Sequence, residues 1–384
     1  MLPLRNAGRF FNKAITQPGY ALKVAVKRFK AYQAYNSAGG RSGSPEAITF
    51  FLTHRCNLQC QMCGQWGEGG VTKKQSSQYI GEELSREELI AAIDEVSKFK
   101  PNITLFGGEP LLYPHCVEII KHIKQKGMHC LMITNGSLLE QNAEAIVANG
   151  LDELNVSLDA GSQLHDQIRG MPGLFERIMR GLKLVNHFKA VKKTKKPLIN
   201  LQCTINKQNY GYLEQLLGVA GEIKANSLTF HNLIFLSGEI IEKQKAYDEK
   251  LGCQSLDWQG FVFEPQMDPR IIHEKKEKIL SKKHGFSVDF YPNFSCSSLM
   301  DYYKKPDYLP VGYSGRCVSP WIAAYIFPDG EVRPCLNFSY SYGNIKNNKF
   351  KEIWNSEKAI KYRQVLKENK IFPVCVRCTE LYRY

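Results

Sequence analysis

Three cysteines fall within eight residues, Cys56, Cys60 and Cys63 of CNLQCQMC, spaced C-x3-C-x2-C with no fourth cysteine near. Soft thiolate ligands suit zinc and iron–sulfur clusters. A closed zinc site takes four ligands, usually as two separated pairs; His54, just before the run, offers a Cys3His set of unusual loop geometry. Three thiolates match better a 4Fe–4S cluster whose fourth iron has no protein ligand and stays open to a small molecule. A second group lies downstream, where Cys317 and Cys335 frame C-x12-G-x4-C and Cys375 and Cys378 form CVRC. Four thiolates suffice for zinc or for one further 4Fe–4S cluster.

The elements that must position these groups are legible from periodicity. Residues 47–237 alternate strand and helix patterns. The strand AITFFLTHRC runs into the first cysteines, and the helix SREELIAAIDEVSKF follows, with Ser85 as N-cap and Glu88 completing a capping box. NITLFGGEP, HCLMITNG, LDELNVSLD, LINLQCTINKQN and SLTFHNLIF continue the series, with helices between. Six such units predict a parallel α/β sheet, either doubly wound or an incomplete barrel. Ligands gather at the carboxyl ends of parallel strands, which is where the first cysteine run falls. Residues 238–316 lose the rhythm and read as a linker or insertion, although FSVDFYP within them has a strand pattern. Residues 317–384 form a small cysteine-bearing module, with a hairpin YIFPDGEVRPC turning at Asp329-Gly330 and a helix after it.

Other strand ends carry polar residues. Gly107, Gly108, Glu109 and Pro110 end the second strand. Glycine lets backbone approach a ligand closely, and Glu109 offers a carboxylate to an ammonium group. Period-2 alternation sets Asn155, Ser157 and Asp159 on one face of the fourth strand and Asn200, Gln202 and Thr204 on one face of the fifth, both toward the interior. Cys203 then packs outward as a small hydrophobe, and Cys116, in a helix, is structural. His231 reads as a core or rim histidine; Cys253 and Cys296 carry no assigned role.

The C-x3-C-x2-C run at the end of a first strand, followed one strand later by GGEP, resembles the signature of radical S-adenosylmethionine (SAM) enzymes, which are built on a partial (β/α)6 barrel. The resemblance implies that Cys56, Cys60 and Cys63 hold a 4Fe–4S cluster whose open iron is chelated by SAM. One electron then cleaves SAM to methionine and a 5′-deoxyadenosyl radical that abstracts hydrogen from an unactivated C–H bond. It implies that the Gly107–Pro110 segment holds the SAM amino group, that Ser157 and Arg169 meet its carboxylate beside Asp159, and that Thr134 or Asn135 touches cofactor or substrate. The family often has an aromatic residue before the third cysteine; here it is Met62. The C-x12-G-x4-C pattern resembles the opening of SPASM/twitch domains, and the implied short, twitch-like α+β form binds one auxiliary 4Fe–4S cluster through Cys317, Cys335, Cys375 and Cys378. The reaction implied needs a reductant such as flavodoxin or ferredoxin and an organic substrate. The 46 residues before the first strand are short for a peptide-recognition domain, so a carbohydrate, lipid-linked or other small substrate is expected, with a peptide maturase as the rival.

Composition sets outer limits. The 384 residues contain no apolar run of membrane-spanning length and no secretory leader pattern, so the twelve cysteines read as reduced, metal-binding thiols in a cytoplasmic protein. The formal charge is +14, and residues 1–46 hold Arg5, Arg9, Lys13, Lys23, Lys27, Arg28, Lys30 and Arg41 against Glu46 alone. GYALKVAVKRFKAYQAY, residues 19–35, puts Leu22, Val26 and Phe29 on one helical face, as a peripheral membrane helix would, or as a helix packed across the barrel would. A zinc- or cluster-bearing nucleic-acid binder also fits the charge, but no such motif is present and no nucleic-acid partner is expected.

Overall fold

In the computed structural model, residues 18–37, 39–310, 313 and 315–383 are described. Arg5, Arg9 and Lys13 of the basic segment lie outside them.

The expected strands form in order: β1 (Ala47–Phe51), β2 (Asn102–Phe106), β3 (Cys130–Thr134), β4 (Glu153–Ser157), β5 (Leu198–Thr204) and β6 (Ser227–His231). Each pairs in parallel with the next. The capping box forms as read: Ser85 Oγ accepts from Glu88 N–H, and the Glu88 carboxylate from Ser85 N–H. The sheet extends beyond this set at both edges. β7 (Ser287–Tyr291), from the stretch without α/β rhythm, pairs in parallel with β6. β8 (Ala323–Ile326), from the C-terminal cysteine-bearing region, pairs in parallel with β1. β9 (Glu331–Arg333) returns antiparallel on β8 through Gly330 at φ 88°, the left-handed geometry that favours glycine, and β10 (Gly343–Asn344) ends a ten-stranded open sheet. The fold is therefore a partial α/β barrel with the C-terminal region stitched to its first strand.

Alternation divides the two faces. Ile48, Ile103, Leu105, Met132, Leu154, Val156, Leu201, Cys203, Leu228 and Phe230 are buried beneath the outer helices. Burial of each such side chain contributes ~1.5–3 kcal/mol. The inner face is mixed. From β4 to β6 it is polar: Asn200 Nδ2 donates to Asn155 Oδ1 at 3.0 Å, Ser227 Oγ to Asn200 Oδ1 at 2.8 Å, and His231 Nε2 lies 2.6 Å from Gln202 Oε1. Near β8, β1 and β2 it is aromatic: Phe51 stacks on Phe327 with centroids 5.2 Å apart and meets Phe106 edge-on at 5.5 Å.

Candidate functional site

The loop after β1 is seated by the end of β2. Gly108 N–H donates to the Thr53 carbonyl at 2.8 Å and Glu109 N–H to the Arg55 carbonyl at 2.9 Å. A Cβ on Gly107 would stand 2.7 Å from Thr53 O, and one on Gly108 2.1 Å from Arg55 O. The close approach that requires these glycines is thus to the backbone of the cysteine loop itself. Glu109 is fully buried, and its carboxylate accepts from Leu111 N–H (3.1 Å), the Thr134 hydroxyl (2.7 Å) and Asn135 N–H (2.7 Å). Burial pushes its pKa up to about 7 against those three donors. The side chain braces the end of β2 against the end of β3, and the backbone of Gly107–Glu109 lies beside it. Pro110 opens the short 3-10 turn that follows.

Two further strand ends reach the cysteines. Asn135 Nδ2 donates to Asn57 Oδ1 at 2.9 Å and lies 3.9 Å from Cys56 Sγ. Asp159, buried past the end of β4, accepts from Thr204 N–H at 2.9 Å and pairs with Arg169 Nε at 2.6 Å. Arg169 Nη1 lies 3.6 Å from Cys60 Sγ. Burial opposes the guanidinium's charge, but Asp159 and the Cys60 sulfur outweigh it and hold its pKa above the usual arginine range. Ser157, half-buried, lies on the inner face of β4 below this pair.

Each loop sulfur therefore has an N–H donor from a different source: Leu58 backbone for Cys56, Arg169 for Cys60, and Trp66 backbone at 3.4 Å for Cys63. Burial pushes the Cys56 thiol up to about 12, and burial also raises Cys60; the neighbouring thiols add to both rises. Holding Cys56 and Cys60 as thiolates requires positive charge beside them, and N–H donors to the sulfurs stabilise that state. This donor set fits a cluster held by three thiolates. His54 does not join it: the ring stacks on Tyr79 at 4.4 Å and packs beside Phe51, and burial holds its pKa down to about 4.

Several contributors were not singled out in the sequence. Trp66 Nε1 donates to the His54 carbonyl at 2.9 Å, tying the loop back on itself. Gly260, in the segment Leu256–Phe261, packs so tightly that its Cβ would meet Gly64 O at 1.9 Å, and Phe261 covers Gly64. A glycine directly after Cys63 was the available signal. Arg169 stands on a short helix of its own, Ser162–Arg169, which precedes the helix Leu174–Val191 and carries no strand–helix signal in the sequence.

Cys317, Cys335, Cys375 and Cys378 also come together. Burial raises each thiol. Mutual repulsion adds to the rise at Cys317, Cys335 and Cys378. Backbone donors two residues on serve three of them: Ser319 for Cys317, Asn337 for Cys335 and Glu380 for Cys378. Tyr342 Oη, buried and without a hydrogen-bond partner, lies within electrostatic reach of Cys335 and Cys317. An orphaned buried hydroxyl within reach of two of the four thiols fits a charged group there. The thiols of each set couple electrostatically, yet among the described residues no three His, Cys, Asp or Glu side chains gather tightly enough to hold one metal ion.

Comparison with known proteins decides the family. The radical SAM superfamily model matches residues 50–194, and the iron–sulfur cluster-binding SPASM model matches residues 317–379. A probable GTP 3′,8-cyclase of Saccharolobus solfataricus is 31% identical over 229 residues, covering 56% of this chain and 69% of that protein. The chain belongs to the radical SAM superfamily. An AdoMet-dependent heme synthase of Methanosarcina barkeri is 28% identical over 348 residues, covering 88% of this chain and 89% of the relative. Streptococcus suis SuiB bound to S-adenosylmethionine shares the fold, with a TM-score of 0.61, 13% identity, and coverage of 88% of this chain and 71% of that one. The cofactors of this radical SAM enzyme are accordingly 4Fe–4S clusters and SAM. Among the described residues no helix is long and apolar enough to cross a membrane.

Proposed function

We propose that this radical SAM enzyme removes hydrogen from an unactivated C–H bond of a small organic substrate held against the inner face of the sheet, as a dehydrogenase-like catalyst. Cys56, Cys60 and Cys63 hold the SAM-binding cluster; Cys317, Cys335, Cys375 and Cys378 hold one auxiliary cluster. The observation that carries the assignment is the set of three thiols at the carboxyl end of a parallel sheet, each with its own N–H donor. When bound, the reduced cluster and SAM supply an alkyl radical strong enough to attack such a bond.

The chain's own residues do the rest. Asn135, Arg169 and the Trp66 amide orient the sulfurs. The backbone of Gly107–Glu109, bonded to Thr53 and Arg55, sets the floor beside them. Ser157, Gln202 and His231 offer hydrogen bonds to a substrate's polar edge, while Phe51, Phe106 and Phe327 give its apolar face a dry wall. Holding a target carbon in place between the two walls supplies the orientation the reaction needs. The pairing of β8 with β1 ties the second thiol set to the same sheet.

A wall that is polar on one side and aromatic on the other suits a compact molecule with a polar edge, such as a sugar or a carboxylated ring. The relatives that align over most of this chain support that choice over a peptide precursor. They are named AdoMet-dependent heme synthase and Fe-coproporphyrin III synthase, the latter 27% identical over 80% of this chain. The test is label transfer: with flavodoxin, ferredoxin or dithionite as reductant, deuterium from one such substrate should appear in 5′-deoxyadenosine. Transfer from precursor peptides alone would overturn the substrate class. Undiminished SAM cleavage by the Cys56→Ala/Cys60→Ala/Cys63→Ala variant would overturn the cluster assignment.

A further inference from the structure

The helix Pro18–Asn36 has two apolar faces, and the fold uses only one. Ala21, Val24, Ala31 and Tyr35 are buried, with the Tyr35 ring set edge-on to Trp321 at 4.9 Å. Polar contacts fix the same side. Lys27 Nζ donates to the Phe99 carbonyl at 2.8 Å and the Pro45 carbonyl at 3.2 Å, and Arg28 Nε to Glu46 at 2.9 Å. The helix is therefore held without help from its outer face.

On that outer face Leu22, Val26 and Phe29 are 68%, 46% and 63% exposed. Their spacing, i, i+4 and i+7, makes one continuous stripe. Single exposed apolar residues need no explanation, but three of the eight large ones among the described residues share this stripe. Lys23 and Lys30 flank it on one side, and Lys100 lies within electrostatic reach of Lys23. Burial and repulsion from Lys100 hold the Lys23 pKa below its usual range, and burial, with Lys23 beside it, brings Lys27 down to about 8. The fold thus crowds positive charge beside an apolar stripe with no acidic residue on the helix to answer it.

We propose that this face docks the protein on an anionic lipid surface, with Leu22, Val26 and Phe29 entering the interface and Lys23 and Lys30 meeting the headgroups. An apolar stripe with lysines at its margin is the pattern that binds such surfaces. The placement has a consequence for the active site. Pro45, Glu46, Phe99 and Lys100, where the helix is tied down, immediately precede β1 and β2, so the docking face lies by the amino-terminal ends of the strands. The cysteine loop lies at the carboxyl ends. Docking leaves the mouth of the half-barrel turned from the lipid, so its substrate arrives from the water rather than from within the bilayer.

The experiment is sedimentation of the full chain with phosphatidylcholine vesicles and with vesicles that also contain phosphatidylglycerol. Binding should need the anionic lipid and weaken with salt. Phe29→Ser should weaken it at least ~10-fold, the loss of one buried aromatic side chain. Lys30→Gln should weaken it ~5-fold. Both positions lie on the exposed outer face of the helix, so SAM cleavage should be unchanged, which separates this test from that of the catalytic reading. Absence of binding to anionic vesicles, or equal binding by Phe29→Ser, would overturn the proposal. So would a Phe29-dependent dimer that binds no vesicles, because the stripe would then be an interface between copies.

Discussion

Gly108→Ala probes the contact on which the cysteine loop rests. The added Cβ would stand 2.1 Å from Arg55 O, 2.6 Å from Arg55 C and 2.7 Å from His54 O, all backbone atoms that no rotamer change can move. Carbon and carbonyl oxygen settle at about 3.3 Å, so the strand end and the loop must part by roughly 1 Å. That separation strains both the Gly108–Thr53 and Glu109–Arg55 hydrogen bonds. Each contributes ~1 kcal/mol, and the overpacking itself costs ~1–3 kcal/mol. A loss of roughly 3–5 kcal/mol follows, close to the whole stability of a marginal domain. Cys56 adjoins Arg55, so the displaced loop also carries the first thiol off its donors. The assay is urea unfolding of the iron-free protein, with iron and sulfide content after anaerobic reconstitution and 5′-deoxyadenosine formation. Gly218→Ala is the control: it lies in the helix Gln215–Glu222 with nothing within 4 Å of an added Cβ and should gain ~1 kcal/mol. A Gly108→Ala protein with wild-type unfolding midpoint and full iron content would refute the reasoning.

Arg169→Met leaves Asp159 buried without its cation and removes the Cys60 donor; a loss of ~3–5 kcal/mol is expected by chemical unfolding, with reduced cluster retention on dilution. His165 is buried, accepts from Asp159 N–H at 3.1 Å, and is held by burial at a pKa of about 4. Because that lies below the unfolded value, its contribution is complete above pH ~6.5 and is lost as the pH falls toward 4, by up to ~3 kcal/mol. His165→Asn, which keeps an acceptor that does not titrate, should flatten the unfolding midpoint across that window. Tyr342→Phe removes an unpartnered buried hydroxyl, so it should stabilise the iron-free protein by ~1 kcal/mol. In the iron-loaded protein the same change should bring no gain, because a charged group beside Cys335 gives the hydroxyl a partner.

The fold class was legible because parallel strands buried on their outer faces leave a period-2 record, as in Asn200, Gln202 and Thr204 against Leu201 and Cys203. The capping box at Ser85 and the turn at Asp329-Gly330 were legible because their chemistry is local. The cysteine spacing by itself pointed to a cluster, since three near thiolates leave few other uses. What surrounds each sulfur was not legible. Asn135 is 79 positions from Cys56 and Arg169 is 109 from Cys60, and only the closing of the sheet brings them near.

Glu109 shows the difference most plainly. Its residue type pointed to a ligand contact; nothing in the sequence showed that its buried carboxylate also accepts from Leu111 N–H beside it and from Thr134 and Asn135 at the end of β3. Gly260 packs on Gly64, β7 pairs with β6 and β8 with β1, placements that local pattern does not encode. Sequence alone determined the kinds of chemistry available and the periodicity of the elements, because composition, spacing and turn residues act within a few positions. Tertiary structure decided which groups face each sulfur, which donors a buried carboxylate meets, and which apolar stripe of the first helix is left in water, because those outcomes depend on burial by segments far away in the chain.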